Sequence, residues 1–203
     1  MGPRMAAKDL KRYRKKGADK TTRLLLDALK SEGLEGMTVL DIGGGVGVLQ
    51  HELLKAGAKE ASSVDASSSY LEAAQEEAKR CGHLDRLSQH HGDFVELAGE
   101  ISEADIVTLD RVICCYDDME RLVGLSAGRA LKLYGVIYPP DHWLIKAFTW
   151  LENLYHRIKR NQFRTFAHAT VAVDAVIRSA GLERCFSHET LLWHVHLYRR
   201  PSI

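Results

Sequence analysis

The sequence predicts a doubly wound α/β fold: a seven-stranded, mostly parallel sheet with a closing antiparallel strand, and a helical insertion after the fifth strand. Short apolar runs alternate with amphipathic stretches up to Pro139 and Pro140, as in strand-helix units. The last two strand-like runs are only a few residues apart, and a parallel crossover needs about a dozen or more. A long apolar stretch at helical spacing lies between the fifth strand and the next helix.

Each element follows from its local pattern. Buried strands are short apolar runs, helices show apolar residues three and four apart, and glycine or proline ends an element. In the first half we expect a helix at 21–30, a strand at 37–42, helix 47–56, strand 61–65 and helix 69–81. In the second half we expect strands at 86–91 and 104–110, helix 117–131, strand 134–138, helix 171–180, and strands 183–187 and 191–198.

Length and composition fit a single domain over residues 1–203. The net charge of +1 does not indicate a nucleic-acid partner. No apolar run is long enough to span a bilayer and no signal peptide is evident, so we expect a cytoplasmic protein. The cysteines form no C-x-x-C pair, and His194 and His196 share a strand face without a visible third ligand, so no metal is expected.

Basic residues crowd residues 1–31, a segment that we expect to form an arm followed by a helix. The arm is interpreted as solvated, with contact to anionic lipid or an acidic substrate as the alternative. The basic residues at its start are Lys8, Lys11, Arg12, Arg14, Lys15 and Lys16.

The stretch VLDIGGGVGV, residues 39–48, joins the first strand to a helix. Its pattern is D-x-G-x-G-x-G, beginning at Asp41. A dinucleotide fingerprint, G-x-G-x-x-G, would need its third glycine at Val48. Asp41 places a negative charge beside the loop, which disfavours a phosphate and suits a cationic ligand. So many glycines indicate a bare backbone held against a ligand, rather than helix packing alone.

Acidic residues follow the next two strands. Asp65 ends the second strand at the spacing of a carboxylate that binds two ribose hydroxyls. Asp93, after the third strand, can accept a hydrogen bond from an exocyclic amine, and Phe94 can pack on a purine. Asp93 is equally well placed to cap a helix.

Together these motifs resemble the class I S-adenosylmethionine-dependent methyltransferases, over nearly the whole chain. VLDIGGGVG is similar to the family's first motif, except that many members have cysteine or serine where Gly44 stands. SVDAS and HGDF, at residues 63–67 and 91–94, are similar to its ribose and adenine motifs. The resemblance implies a Rossmann-like sheet and an S-adenosylmethionine site. The implied cofactor-binding residues are Asp41, Gly43, Gly44, Gly45, Asp65, Ala66, Asp93, Phe94, Asp110 and Arg111.

The methyl acceptor must be sought elsewhere in the sequence. Asp110 ends the fourth strand, near where the transferred methyl should lie, and it does not begin the D-P-P-Y motif of DNA amine methyltransferases. A hydroxyl acceptor would need a base, for which Asp110, Tyr116 and His142 are the catalytic candidates. A carboxylate acceptor would need none.

Residues 141–168 are a candidate substrate lid, or a helix packed on the core. Their basic and apolar residues also suit peripheral membrane contact. The layout of RYRKKGADKTT, TVLDIGGG and KRNQFRTF is similar to that of magnesium-protoporphyrin O-methyltransferases, which act on a macrocycle carboxylate.

The function expected is therefore methyl transfer to a small, largely apolar or aromatic molecule, by O- or N-methylation, with no nucleic-acid partner. Two alternatives stay open. One is an NAD(P)-dependent oxidoreductase of Rossmann type, which Val48 and the antiparallel ending disfavour. The other is a noncatalytic cofactor-binding subunit.

Overall fold

The computed structural model describes residues 2–159 and 164–201. Residues 160–163, which belong to the predicted insertion and to its KRNQFRTF motif, lie outside the described residues.

The strands form one seven-stranded sheet in the order β3-β2-β1-β4-β5-β7-β6. The first five strands in this order run parallel, and β7 pairs antiparallel with β5 and with β6. This is the predicted architecture, closing antiparallel pair included. The strands are β1 (Thr38–Ile42), β2 (Glu60–Asp65), β3 (Leu87–His91), β4 (Ala104–Asp110), β5 (Ala130–Tyr138), β6 (Glu183–Glu189) and β7 (His194–Arg199).

Helices cover both faces of the sheet because the strands bury apolar residues on each side. One face packs against α5, α6 and α8, and the other against α2 and α3. The α-helices are α1 (Pro3–Lys16), α2 (Lys20–Ser31), α3 (Val48–Lys55), α4 (Ser68–Cys81), α5 (Phe94–Leu97), α6 (Met119–Gly128), α7 (Trp143–Ile158) and α8 (Thr170–Ser179).

Three predicted boundaries are wrong by three residues or more. The strand predicted at 134–138 begins at Ala130. The helix predicted at 117–131 ends at Gly128, because Ala130 already pairs with Ala104 of β4. The last strand begins at His194 rather than 191. Leu191 and Leu192 are apolar but exposed, in a turn where the Thr190 hydroxyl hydrogen-bonds to the backbone of Trp193.

The basic start of the chain is a packed helix, so its interpretation as a solvated arm is wrong. Ala6, Leu10 and Tyr13 of α1 are buried. The Arg14 guanidinium lies 2.8 Å from the buried carboxylate of Glu77 on α4. The apolar residues recur at helical spacing, and so the basic residues mark the solvent side of an amphipathic helix.

Helix α7 turns its apolar side to the solvent. Only Ile145 is buried among the α7 side chains that the structure describes. The polar side faces the protein: Asn153 exchanges hydrogen bonds with the backbone of Thr165, and Glu152 accepts one from the Thr165 hydroxyl. Trp143 and Trp150 are 73% and 67% exposed. Along the described residues, no helix is both long and apolar enough to cross a bilayer.

Candidate functional site

A cavity of about 1010 Å³, which we call the cleft, opens at the carboxyl ends of β1, β2 and β4. The strand order reverses there, since β1 lies between β2 and β4. Ligands of doubly wound sheets bind at such a reversal. All ten residues predicted to bind the cofactor line the cleft: Asp41, Gly43, Gly44, Gly45, Asp65, Ala66, Asp93, Phe94, Asp110 and Arg111.

The glycine loop needs glycine for conformation and for space. Gly43 and Gly45 have φ of 63° and 58°, in the left-handed region that other residues rarely adopt. A Cβ at Gly43 would also lie 2.6 Å from a Val112 methyl carbon. At Gly45 a Cβ would make an ordinary 3.7 Å contact with the Tyr70 ring, so at that residue the backbone conformation is decisive.

Asp41 lies fully buried beneath the loop. Its Oδ1 accepts a 2.7 Å hydrogen bond from the Thr108 hydroxyl, and its Oδ2 has no hydrogen-bond partner among the described residues. Burial raises the pKa of Asp41 to about 7, against the opposing effect of the Thr108 bond. A cation or donor bound above the loop would compensate this charge, which fits the cationic ligand expected from the sequence.

Asp65 is held at the cleft by two backbone amides. Its Oδ2 accepts from the Gly45 N–H at 3.1 Å and its Oδ1 from the Ser67 N–H at 2.8 Å. A carboxylate oxygen can accept more than one hydrogen bond, so both oxygens keep capacity for a ligand's hydroxyls. The glycine loop is thus hydrogen-bonded directly to Asp65.

Asp93 both caps a helix and lines the cleft, so the two roles that the sequence left open are compatible. Its Oδ1 caps α5 by accepting from the Val95 N–H at 2.8 Å, and the residue also lines the cleft. Its Oδ2 accepts from the Tyr116 hydroxyl at 3.1 Å. Burial, with this bond next in effect, raises the pKa of Tyr116 to about 12. Tyr116 therefore lies in the cleft on the Asp93 side, as a poor base.

Asp110 and Arg111 connect β4 to the start of α2. Asp110 Oδ2 accepts a 2.6 Å hydrogen bond from the Thr22 hydroxyl, and Arg111 lies 3.2 Å from Asp110 Oδ1 and 2.8 Å from Asp19. Burial raises the pKa of Asp110, although Arg111 and Thr22 act to lower it. Arg111 has φ of 63°, which is uncommon for a residue with a side chain and is typical of functional sites. Its guanidinium lies over the Trp193 ring.

His142, the third catalytic candidate, does not line the cleft in this structure. It lies just before α7, and its Nε2 is 3.1 Å from the Leu191 carbonyl oxygen. The described part of the 141–168 insertion contributes no residue to the cleft wall.

Residues of α1 and α2 complete the cleft. Among them the sequence suggested a role only for Arg12 and Lys16, as part of a basic segment that contacts an acidic substrate or anionic lipid. Tyr13 of α1 donates a 2.7 Å hydrogen bond to Glu52, and Tyr70 donates one of 2.8 Å to Asp9. The helical spacing of the buried α1 residues was the available signal that α1 is a wall of the cleft. Lining residues beyond those predicted to bind the cofactor include Asp9, Arg12, Tyr13, Lys16, Asp19, Lys20, Thr22, Arg23, Tyr70 and Cys115.

The family model and the curated relatives that match this chain both represent methyltransferases. Residues 34–194 match the family model described as a methyltransferase domain. The chain is 30% identical over 135 residues to the ribosomal protein L11 methyltransferase of Photorhabdus laumondii. The aligned residues cover 66% of this chain and 45% of that protein. The chain thus spans about half the length of the curated relatives that it matches.

Solved structures share the fold. The magnesium protoporphyrin IX methyltransferase of Synechocystis, crystallised with bound SAH, superposes with a TM-score of 0.71 at 18% identity over 89% of this chain and 82% of that one. An O-methyltransferase family protein from Burkholderia thailandensis gives 0.71 at 18% identity, over 89% and 56% of the two chains.

Proposed function

The chain belongs to the methyltransferase domain family, whose class I members use S-adenosylmethionine, and on this premise we propose that it methylates a small, largely apolar acceptor. The observation that carries the proposal is the cleft itself. The glycine loop, Asp65, Asp93 and Asp110 come from four different strand ends and line one cavity of about 1010 Å³. Ligand pockets measure about 300–1,000 Å³, so the cleft is at the upper end of this range and has room for a nucleoside cofactor.

The residues fit the cofactor that the family uses. Asp65 would hold the ribose, Asp93 and Phe94 the adenine, and Gly43 to Gly45 the methionine part. Asp41, whose buried Oδ2 has no hydrogen-bond partner in the part of the chain that the structure describes, would lie below the amino-acid end. Bound there, S-adenosylmethionine supplies a methyl group on an already activated sulfonium.

The chain's own contribution is alignment and exclusion of water. Holding the acceptor in line with the methyl group contributes a large part of the rate of methyl transfer. Asp110 and Arg111 sit at the end of β4, and the Thr22 and Asp19 contacts fix their positions. We assign to these two residues the orientation of the acceptor.

The cleft favours an acceptor that needs no base. No histidine is among the described residues that line it. Tyr116 has a raised pKa and donates to Asp93, and Asp110 is engaged by Thr22 and Arg111. A carboxylate, or an amine already neutral, can attack without proton removal. Six aspartates in the described part of the chain line the cleft, but cations of α1 and α2 line it as well, and we infer from these cations that the acceptor is a carboxylate: Arg12, Lys16, Lys20 and Arg23.

A transfer assay with methyl-labelled S-adenosylmethionine tests this function. Apolar carboxylic acids, phenols, a ribosomal protein extract and RNA are offered as separate acceptors. We expect label on an apolar carboxylic acid, at a rate nearly constant between about pH 6 and 9 when S-adenosylmethionine is saturating, because no general base takes part in the transfer. Titration of Asp41, whose pKa is about 7, should affect cofactor affinity instead. Label on protein or RNA alone would contradict the acceptor class. No transfer to any acceptor, with intact cofactor binding, would favour a noncatalytic subunit.

We further propose that α7 makes a peripheral membrane contact, which is one of the alternatives that the sequence left open for residues 141–168. Its exposed apolar residues occupy about 160° of the helix circumference, at about 100° per residue. Lys146 and Arg157 border this arc, both exposed. Tryptophan, leucine and basic residues in this arrangement are typical of helices that lie in the interface of anionic bilayers. The exposed apolar residues of the arc are Trp143, Leu144, Ala147, Phe148, Trp150, Leu151, Leu154 and Ile158.

Vesicle flotation tests the contact. We expect binding to vesicles containing phosphatidylserine, weaker binding to neutral vesicles, and loss of binding in Trp150→Ala. Thr149→Ala, on the polar side of α7, is the matched control and should bind normally. Equal flotation of Trp150→Ala and the native chain would contradict the contact. A dimer that Trp150→Ala dissociates would assign the arc to a second copy instead.

A further inference from the structure

Three ligand-type side chains meet on the last two strands, outside the cleft. His194 and His196 lie two residues apart on β7, so their side chains project from the same face of the sheet. Glu189 pairs with His194 across the β6–β7 ladder. One potential ligand atom from each of these residues lies within 4.8 Å of the other two. The sequence showed the two histidines but not Glu189, since only strand register brings it there.

The cluster contains buried polar atoms without partners. His194 Nδ1, His196 Nε2 and the Tyr138 hydroxyl are all buried, and each lacks a hydrogen bond among the described residues. The Tyr138 ring centroid lies 5.7 Å from that of each imidazole. Buried polar atoms are nearly always satisfied. Unsatisfied polar atoms on three adjoining rings therefore indicate a water molecule or an ion that binds them.

The donor set selects the kind of ligand. Two imidazoles and a carboxylate form a common zinc site, and imidazole nitrogen suits late first-row divalent ions better than calcium or magnesium. We propose that Glu189, His194 and His196 bind a divalent transition-metal ion, with Zn²⁺ the best fit. The Tyr138 hydroxyl or a water molecule would complete the coordination.

The site needs only a small adjustment to close around an ion. Zinc bonds of about 2.0–2.2 Å place tetrahedral ligand atoms roughly 3.4 Å apart. Glu189 is exposed, so its carboxylate can rotate inward without opening the core. An ion held this way would link β6 to β7. Because none of the three ligands lines the cleft, the ion's role is structural rather than catalytic.

Arg184 opposes the ion in this structure. Its Nη1 lies 3.4 Å from His196 Nδ1, and because arginine only donates, this contact leaves the imidazole proton on Nε2. Coordination through Nε2 moves that proton to Nδ1, and Arg184 must turn away. The Asp174 carboxylate, 3.9 Å from the same Nη1, is the acceptor available to it. Removing the arginine should therefore tighten metal binding.

Calorimetric titration of the chelator-treated full chain with Zn²⁺ tests the proposal, together with the visible spectrum of the Co²⁺ form. We expect one ion per chain, a cobalt spectrum without a thiolate charge-transfer band, and a Zn²⁺-dependent rise in melting temperature. Glu189 is exposed, so Glu189→Gln should fold normally. Its affinity for Zn²⁺ should fall by at least roughly 10- to 100-fold, which is the loss typical of removing only an outer-shell partner of a metal ligand. Arg184→Ala should bind more tightly than the native chain.

His188→Ala is the matched control, because His188 also lies on β6 but pairs with Val195 and is not part of the cluster. Its affinity for Zn²⁺ should equal that of the native chain. Unchanged affinity in Glu189→Gln, or a thiolate band that places the ion on cysteine, would overturn the proposal. So would the absence of stoichiometric binding to both the native chain and Arg184→Ala.

Discussion

The backbone N–H of Gly45 donates a 3.1 Å hydrogen bond to Oδ2 of Asp65, so the glycine loop and the acidic end of β2 are directly joined. The Ser67 N–H fixes the other oxygen at 2.8 Å. The glycine loop and the SVDAS segment, both identified in the sequence, thus hold the Asp65 carboxylate in one fixed orientation. Holding a charged acceptor in place before a ligand arrives lowers the cost of binding.

Asp65→Ala should weaken binding of S-adenosylhomocysteine by about 2–4 kcal/mol, or roughly 30- to 1,000-fold, through the loss of two bonds to a charged group. The Gly45 and Ser67 amides also lose their acceptor, so a modest loss of stability should accompany it. Asp85→Ala removes an exposed carboxylate outside the cleft and should change neither property. An unchanged dissociation constant in Asp65→Ala would refute the ribose assignment.

Gly44→Ser should destabilise the protein, although serine is common at this position in the family that the sequence resembles. A Cβ at Gly44 would overlap Oδ2 of Asp41, so the buried carboxylate must shift. We expect a loss of about 1–3 kcal/mol in the free energy of unfolding, as for overpacked sites. Gly99→Ser, with no atom near the added Cβ, should be close to neutral.

A double-mutant cycle identifies Asp41 as the cause. Gly44→Ala should cost much less in an Asp41→Ala background, where no carboxylate opposes the added carbon. Additive losses of stability in the double variant would show that Gly44 is required for another reason.

Asp41 should make the ligand-free protein less stable as pH rises. Its pKa in the folded state, about 7, lies above the ordinary 3.8, so the folded state holds a proton that the unfolded state has lost between these values. Stability from this group is therefore lost from about pH 4 to pH 7, by at most roughly 4 kcal/mol at about 1.4 kcal/mol per pKa unit. Urea unfolding of Asp41→Asn should lack this component. Parallel pH profiles for the two proteins would contradict it.

Trp150→Ala should leave the melting temperature almost unchanged, because the side chain is 67% exposed and fills no cavity. A tryptophan packed in the core would cost about 3–5 kcal/mol on the same change. Ile145→Ala, on the buried side of α7, should lower the melting temperature and serves as the positive control. A large loss in Trp150→Ala would restore the interpretation of α7 as ordinary core.

The sequence located the sheet and the acidic residues and glycines that line the cleft, because both depend on local rules. Strand-helix alternation places the ends of parallel strands at one edge, so Asp41, Asp65, Asp93 and Asp110 had to converge. The outward orientation of the α7 apolar side was not predictable, since periodicity defines a stripe but not the direction in which it points. Likewise, the Tyr116–Asp93 bond depends on how the segment after β4 folds back.

Residues distant in sequence were the ones missed. Asp19 and Thr22 reach Arg111 and Asp110 only because α2 packs beside the end of β4. Glu189 reaches His194 through a ladder that contains an irregularity between Arg184 and Phe186, which no sequence pattern specifies.

Calorimetric titration of the native chain with S-adenosylhomocysteine and, separately, with NADH distinguishes a methyl-donor cleft from a dinucleotide cleft. We expect one S-adenosylhomocysteine per chain, with affinity reduced in Asp65→Ala, and no saturable binding of NADH, because Val48 replaces the third glycine of a dinucleotide fingerprint. Saturable NADH binding, with no heat from S-adenosylhomocysteine, would contradict this expectation and identify the cleft as a dinucleotide site.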